Sequence, residues 1–204
     1  MRIGAFLLAA GSSRRFGETD KLAQPFRGAR LGEHAAAAIP IDRVAEAGAW
    51  VVAPNFDHPC EPAWRKAGFA VVANQSADEG MGTSVSLGAK IAAKTKLDAM
   101  LIALADMPLV PREHFFALFD RLTGPADIIA STGGHSSMPP AIFGKDHFGA
   151  LAALRGDQGA RQLISQGQSI ACPSDWLIDI DTPDDLRTYG QPRTTAPRPA
   201  PNGE

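Results

Sequence analysis

The segment Leu8-Ala9-Ala10-Gly11-Ser12-Ser13-Arg14-Arg15-Phe16-Gly17, with Lys21 four residues further on, has the composition of an anion-binding turn. It ends an apolar run, residues 3–9, that reads as a strand. Glycine and serine at the C-terminal end of a parallel strand leave backbone N–H groups free to face negative charge. Arg15 and Lys21 add mobile positive charge over the same spot, and open α/β sheets bind their ligands at that edge. A phosphate-bearing ligand follows. Two phosphate motifs are absent. Gly11 and Gly17 are separated by five residues and followed by Glu18, so no Walker A loop forms, and Gly80-Met81-Gly82-Thr83-Ser84-Val85 ends in valine where a dinucleotide fingerprint has glycine. By itself the segment would serve equally as a Gly/Ser-rich surface turn with solvated arginines.

Acids converge on the same edge. The apolar run 99–104 leads into Ala105-Asp106-Met107-Pro108, and Leu177-Ile178-Asp179-Ile180-Asp181 alternates carboxylates along an expected strand, 177–180. A period of two turns Asp179 and Asp181 to one face, toward Asp106. Two or three carboxylates beside a cationic phosphate loop suit Mg²⁺, which takes few protein oxygens and completes its shell with phosphate and water. Asp106 alone would serve equally as a strand-end turn or helix cap. Asp184 and Asp185 belong to a helix start: Thr182 is a suitable N-cap, Pro183 fits the first helical position, and Asp185 fits the return partner of a capping box.

The elements that must position these residues alternate. Runs 3–9, 49–53, 69–73 and 99–104 are almost wholly apolar and bounded by Gly, Pro, Asn or Asp, as strands buried on both faces are. Segments 85–94 and 112–122 repeat apolar residues three and four apart, as amphipathic helices do. The expected fold is therefore α/β: one Rossmann-like, doubly wound, mostly parallel sheet flanked by helices. Further on, 128–130 and 140–143 read as strands and 147–154 and 159–166 as helices, with a small β element on the acceptor side. Residues 1–190 are expected to form one domain, and 191–204, rich in Pro, Thr and Arg, a disordered tail.

Composition narrows the partners. Apolar residues make up 45% of the 204, enough core to exclude a disordered chain. Lys and Arg number 20 against 22 Asp and Glu, so no global basic field exists to hold nucleic acid. No stretch approaches the ~20 apolar residues that span a bilayer, and Cys60 and Cys172 lie far apart with no CxxC pair. A cytoplasmic protein with reduced thiols is expected. His34, His114 and His147 sit in or beside helices without partners at metal spacing and are assigned solvated or capping roles. His58-Pro59-Cys60 reads as a loop, and Trp50, Trp64 and Trp176 as packing residues. Asp157 and Arg161 have the i,i+4 spacing of a helix salt bridge.

With a following lysine, Leu-Ala-Ala-Gly-x-Ser-x-Arg-x-Gly resembles the signature of nucleotidyltransferases that activate small molecules with an NTP. Three further segments are similar to the molybdenum cofactor cytidylyltransferase branch (the MobA-like NTP transferase domain): 74–87 around Gly80-Met81-Gly82, Ala105-Asp106-Met107-Pro108, and the pair 154–161 and 179–186. The resemblance covers roughly 1–190 in the right order. Ala105 replaces a usual glycine, Leu31-Gly32-Glu33-His34 stands where a longer helix start is common, and 133–140 matches the acceptor-side loop only loosely.

The resemblance implies attack by a terminal phosphate of molybdenum-loaded molybdopterin on the α-phosphorus of CTP, giving the cytosine dinucleotide cofactor and pyrophosphate. It assigns Arg15, Lys21 and Asp106 to catalysis. Leu8, Ala9, Ala10, Gly11, Ser12, Ser13, Arg15, Lys21, Gly80, Ser84 and Asp106 are assigned to the nucleotide, Asp106 and Asp181 to Mg²⁺, and Asp157, Arg161 and Asp179 to the acceptor. Ala9-Ala10-Gly11 resembles the cytidylyl form, guanylyl relatives usually having Ala-Gly-Gly. The implied partners are CTP or another NTP, the pterin acceptor and a molybdoenzyme or its chaperone, with no nucleic acid or membrane. Alternatives are a guanylyl or other small-molecule-phosphate transferase, or a carrier that binds the cofactor without chemistry. A nicotinamide oxidoreductase is disfavoured by the missing fingerprint.

Overall fold

A computed structural model describes residues 1–11, 16 and 19–191. Ser12, Ser13, Arg15 and, apart from Gln191, the expected tail lie outside the described residues. Strands β1 (Ile3–Leu8), β4 (Ala49–Ala53), β5 (Ala70–Ala73), β6 (Ala99–Leu104), β7 (Ile128–Thr132), β8 (Ser137–Gly144) and β9 (Gln168–Ala171) form one sheet in the order β5-β4-β1-β6-β8-β7-β9. β2 (Pro25–Phe26) and β3 (Ala29–Arg30) make a separate antiparallel pair. The pairs β4–β5, β1–β4, β1–β6 and β7–β9 are parallel, and β8 runs antiparallel to both β6 and β7. The sheet is mostly parallel, as the apolar runs imply.

Helices on both faces explain why those runs are uninterrupted. Ala5, Leu7, Val51, Leu101 and Ala103 enter one core with Leu31 and Ala35 of α1 (Leu31–Ala38), Trp64 of α2 (Glu61–Lys66), and Phe115 and Leu118 of α4 (Arg112–Arg121). Their neighbours Phe6, Leu8, Val52, Met100 and Ile102 enter a second core with Val85 and Ala89 of α3 (Met81–Lys94), Leu151 of α5 (Phe148–Ala152) and Ile164 of α6 (Arg161–Ile164). With alternate residues facing two dry layers, no position of the central strand β1 has water to favour a polar side chain.

Several elements differ from the sequence reading. Residues 177–180 are not a strand. A 3₁₀ turn, Ser174–Leu177, precedes an extended segment lying beyond the end of β6, where one backbone rung remains: the Ile180 N–H donates to the Asp106 carbonyl at 3.0 Å. Alternation survives without a ladder, since Ile180 is buried in the first core and Asp179 and Asp181 flank it. The helix expected over 159–166 shrinks to α6, bracketed by Gly159 and Gly167. At Gly167 a Cβ would come within 2.5 Å of Ile128, so the chain passes too close to β7 to continue as a helix. His114 is buried rather than solvated, its Nε2 2.7 Å from the Ser131 hydroxyl, which in turn donates to the Pro140 carbonyl. α7 (Pro183–Gly190) starts with the expected capping box, the Asp185 N–H donating to Thr182 Oγ1 at 3.1 Å. Among the described residues no helix is long and apolar enough to cross a membrane.

Candidate active site

The C-terminal ends of β1 and β6 lie side by side, with Leu8 opposite Leu104 and the Ala105 N–H donating to the Leu8 carbonyl at 3.0 Å. Ala10, Gly11 and Asp106 are thereby brought together from segments nearly a hundred residues apart. They line a cavity of about 290 Å³ with Leu8, Gly80 and Ser84. Of the described residues assigned to the nucleotide, two do not line it: Ala9 is buried in the first core, and Lys21 is buried beside Asp106.

A second cavity of about 350 Å³ opens beside it, walled by Asp157, Arg161 and Asp179 together with Met138 and Pro139. Leu8, Leu104, Met81 and Asp157 line both. The expected Asp157–Arg161 helix pair does not form. Asp157 sits in a turn before α6 and no ion pair joins the two among the described residues; both side chains face the cavity instead. Met81, 47% exposed at the shared wall, was not singled out from sequence. An exposed methionine at the start of a helix carries no chemical signal until the two cavities are seen to meet there.

The wall between the cavities is held by backbone. Gly80 adopts φ +118°, and a Cβ there would lie 2.5 Å from Asp157 Oδ1 and 2.4 Å from the Gly156 carbonyl carbon. Two residues on, the Gly82 N–H donates to the Gly156 carbonyl at 2.8 Å, and a Cβ at Gly82 would stand 2.6 Å from the Gln158 carbonyl oxygen. The glycines that fail as a dinucleotide fingerprint thus let α3 dock on loop 155–158. Gly82→Ala is expected to destabilise the fold by about 1–3 kcal/mol, because the clash is with backbone that cannot rotate away. An unchanged urea midpoint would remove this contact from the account. Ser84 is pinned nearby: Asn74 Nδ2 donates to its hydroxyl and to that of Thr83, both at 2.9 Å.

Lys21 lies in a 3₁₀ turn, Lys21–Ala23, and is 6% exposed. Its Nζ donates to Asp106 Oδ2 and to Asp181 Oδ1, each at 2.7 Å. Burial alone would lower its pKa, but the Asp106 charge and the hydrogen bonds it donates to both carboxylates outweigh this and raise it. The ammonium is therefore placed between the two acids. Asp179 behaves oppositely. Burial, followed by the charges of Asp106 and Asp181, pushes its carboxyl up to about 7, with Lys21 opposing.

Asp106 Oδ1 and Asp179 Oδ1 are buried with no hydrogen-bond partner among the described residues. Unpaired carboxylate oxygens at a cavity edge are costly unless something occupies them, and hard oxygen donors suit a divalent cation. No three His, Cys, Asp or Glu side chains among the described residues form a complete metal cage. A site that shares its ion with a polyphosphate would have this partial donor set.

Relatives share this architecture. The chain is 33% identical over 202 residues to the purine catabolism protein PucB of Bacillus subtilis, covering 90% of this chain and 93% of that one. A nucleotidyl transferase from Methanothermobacter thermautotroptrophicus superimposes with a TM-score of 0.73 at 20% identity, over 93% and 96% of the two chains. Rv0371c from Mycobacterium tuberculosis, solved in complex with manganese, does so with a TM-score of 0.63 at 22% identity, over 93% and 98%. Residues 5–170 match the model of the MobA-like NTP transferase domain, the stretch that carries both cavities' glycines and Asp106. With four-fifths of its length matched in this way, the chain belongs to the MobA-like NTP transferase family.

Proposed function

We propose that residues 1–190 form an Mg²⁺-dependent nucleotidyltransferase that moves CMP from CTP onto molybdenum-loaded molybdopterin and releases pyrophosphate. The observation that carries this reading is the meeting of two cavities at one pair of acids, Asp106 at the first and Asp179 at the second. A transfer between two polyanions needs two adjoining pockets with the reacting phosphates at their junction. A carrier would need only one.

In this reading the first cavity takes CTP. Leu8, Ala10, Gly11, Gly80 and Ser84 surround it, and Ser12, Ser13 and Arg15 follow Gly11 in the chain to meet the triphosphate. Asp157, Arg161 and Asp179 take the acceptor. An oxygen of the acceptor's terminal phosphate forms a bond to the α-phosphorus as the bond from that phosphorus to the β-phosphate's bridging oxygen breaks, the electron pair leaving with pyrophosphate. Asp106 and Asp181 would hold the magnesium, with the buried, unpartnered Asp179 Oδ1 available as a further oxygen donor. When bound, the ion polarises phosphoryl oxygens and offsets charge gathering on them. The manganese complex of Rv0371c, a protein of the same fold, is in keeping with a divalent ion. Lys21 balances Asp106 and Asp181 and fixes their spacing. Arg15 stabilises the departing pyrophosphate.

Ala10 favours a pyrimidine, its methyl group narrowing the first cavity where a glycine would leave room for a purine. A difference of that size supplies ~1–3 kcal/mol, or about 10- to 200-fold. Purified protein given each of the four NTPs, Mg²⁺ and molybdenum-loaded molybdopterin should yield the cytosine dinucleotide by mass spectrometry, with CTP preferred over GTP at least about tenfold. Equal or better turnover with GTP overturns the base assignment. Tight pterin binding without pyrophosphate release from any NTP would leave the carrier reading instead.

A further inference from the structure

The loop joining β4 to α2 reaches across to the turn that carries Lys21 and grips it on both sides. His58 and Cys60 are each at most 5% exposed, and neither belongs to a cavity wall described above. The Cys60 N–H donates to His58 Nδ1 at 3.1 Å, which leaves the ring proton on Nε2. That Nε2 is 2.7 Å from Asp20 Oδ2, a short polar contact lying off the ideal hydrogen-bond line. Asp20 Oδ1 caps the Lys21–Ala23 turn by accepting from the Leu22 N–H at 2.9 Å. On the other side of Lys21, Cys60 Sγ donates to the Leu22 carbonyl at 3.2 Å. The loop is fixed in turn: His58 stacks on Trp64 at 4.5 Å, and Trp64 Nε1 donates to the Gly32 carbonyl at 2.8 Å.

A lysine side chain has four rotatable bonds and loses up to about 2 kcal/mol of rotamer freedom when fixed. Holding its ammonium 2.7 Å from two separate carboxylates therefore depends on where its backbone is anchored. The residues before and after Lys21 are the ones the loop holds.

We propose that His58 and Cys60 are positioning residues that set the Lys21 ammonium between Asp106 and Asp181, acting through Asp20 and Leu22. This rests on the nucleotidyltransferase reading only for what Lys21 then does, not for how it is held.

The test follows the lysine directly. An ammonium bonded to two carboxylates exchanges slowly enough to give a ¹H–¹⁵N signal, assigned by its loss in Lys21→Ala. His58→Phe keeps the stack on Trp64 but removes both ring nitrogens. It should abolish or shift that signal while the melting temperature stays within a few degrees, and His58→Gln, whose amide can still donate to Asp20, should restore it. Cys60→Ala, which removes the thiol bonded to the Leu22 carbonyl and leaves the His58 ring in place, should shift it in the same direction and serves if His58→Phe does not fold. Affinity for CTP with Mg²⁺, measured by calorimetry without acceptor, should fall about 10- to 100-fold in His58→Phe, and no further when Lys21→Ala is added. An unchanged lysine signal in either His58→Phe or Cys60→Ala overturns the proposal. A lost signal with unchanged CTP affinity upholds the positioning role and removes Lys21 from nucleotide binding.

Discussion

Asp106→Ala is expected to lower nucleotidyl transfer by about 10³-fold or more, the scale of removing an electrostatic anchor for charge developing on a phosphoryl group. The substitution deletes the buried, unpartnered Oδ1 offered to the metal and, with Oδ2, one of the carboxylates bonded to Lys21. Leaving a buried ammonium short of a partner also costs about 1–3 kcal/mol. A drop of several degrees in melting temperature should accompany the loss. Asp106→Asn separates the two effects: it preserves volume and can still accept a hydrogen bond from Lys21, yet offers no charge to a cation. Turnover should remain at least about 10²-fold down in this variant as well. Pterin binding, read by fluorescence or calorimetry, should be spared in both. Activity within tenfold of the parent in Asp106→Asn would remove Asp106 from the metal site.

Asp179→Asn should do something less usual: inactivate the protein while stabilising it. A carboxyl held near 7 in the folded chain, against about 3.9 when unfolded, binds more protons folded than unfolded between those values. Its contribution to stability therefore falls as pH rises from about 4 to about 7, then stays level. The amide carries no such dependence. In chelator, variant and parent should have similar stability near pH 4, and the variant should gain at most roughly 4 kcal/mol by pH 8, less what residual solvent exposure screens. Denaturant midpoints across that range measure it. A variant no more stable than the parent at pH 8 would show that burial of this charge is not strained. The same charge that costs stability is the one offered to the acceptor's side of the junction, so transfer should fall together with the gain.

The sheet was legible because its strands are buried on both faces, and uninterrupted apolar runs such as residues 99–104 have few other readings. What escaped has physical causes. β9 is a largely exposed edge strand, Gln168-Ser169-Ile170-Ala171, with no hydrophobic alternation to reveal it. α1 contains four consecutive alanines, which favour helix but give little contrast between faces. At the site, Asp106 and the Gly11 turn could be placed from strand ends alone, and Asp179 and Asp181 from their alternation, although the strand expected to carry them is not one. Lys21 was legible as a cation near phosphate but not as the counter-ion of two aspartates, since its partners lie 85 and 160 residues away in sequence. His58 and Cys60 looked like loop residues for the same reason: what they hold is in another part of the chain.

The absence of side chains at Gly80 and Gly82 lets the backbone of residues 155–158 rest directly on the first turn of α3. The floor of one pocket and the wall of the other are consequently a single piece of masonry, without a layer of rotamers that could absorb a misfit. Anyone wishing to retarget this scaffold to a different acceptor by grafting a relative's 154–161 segment would have to transplant its 79–83 segment too, or the two halves would no longer seat.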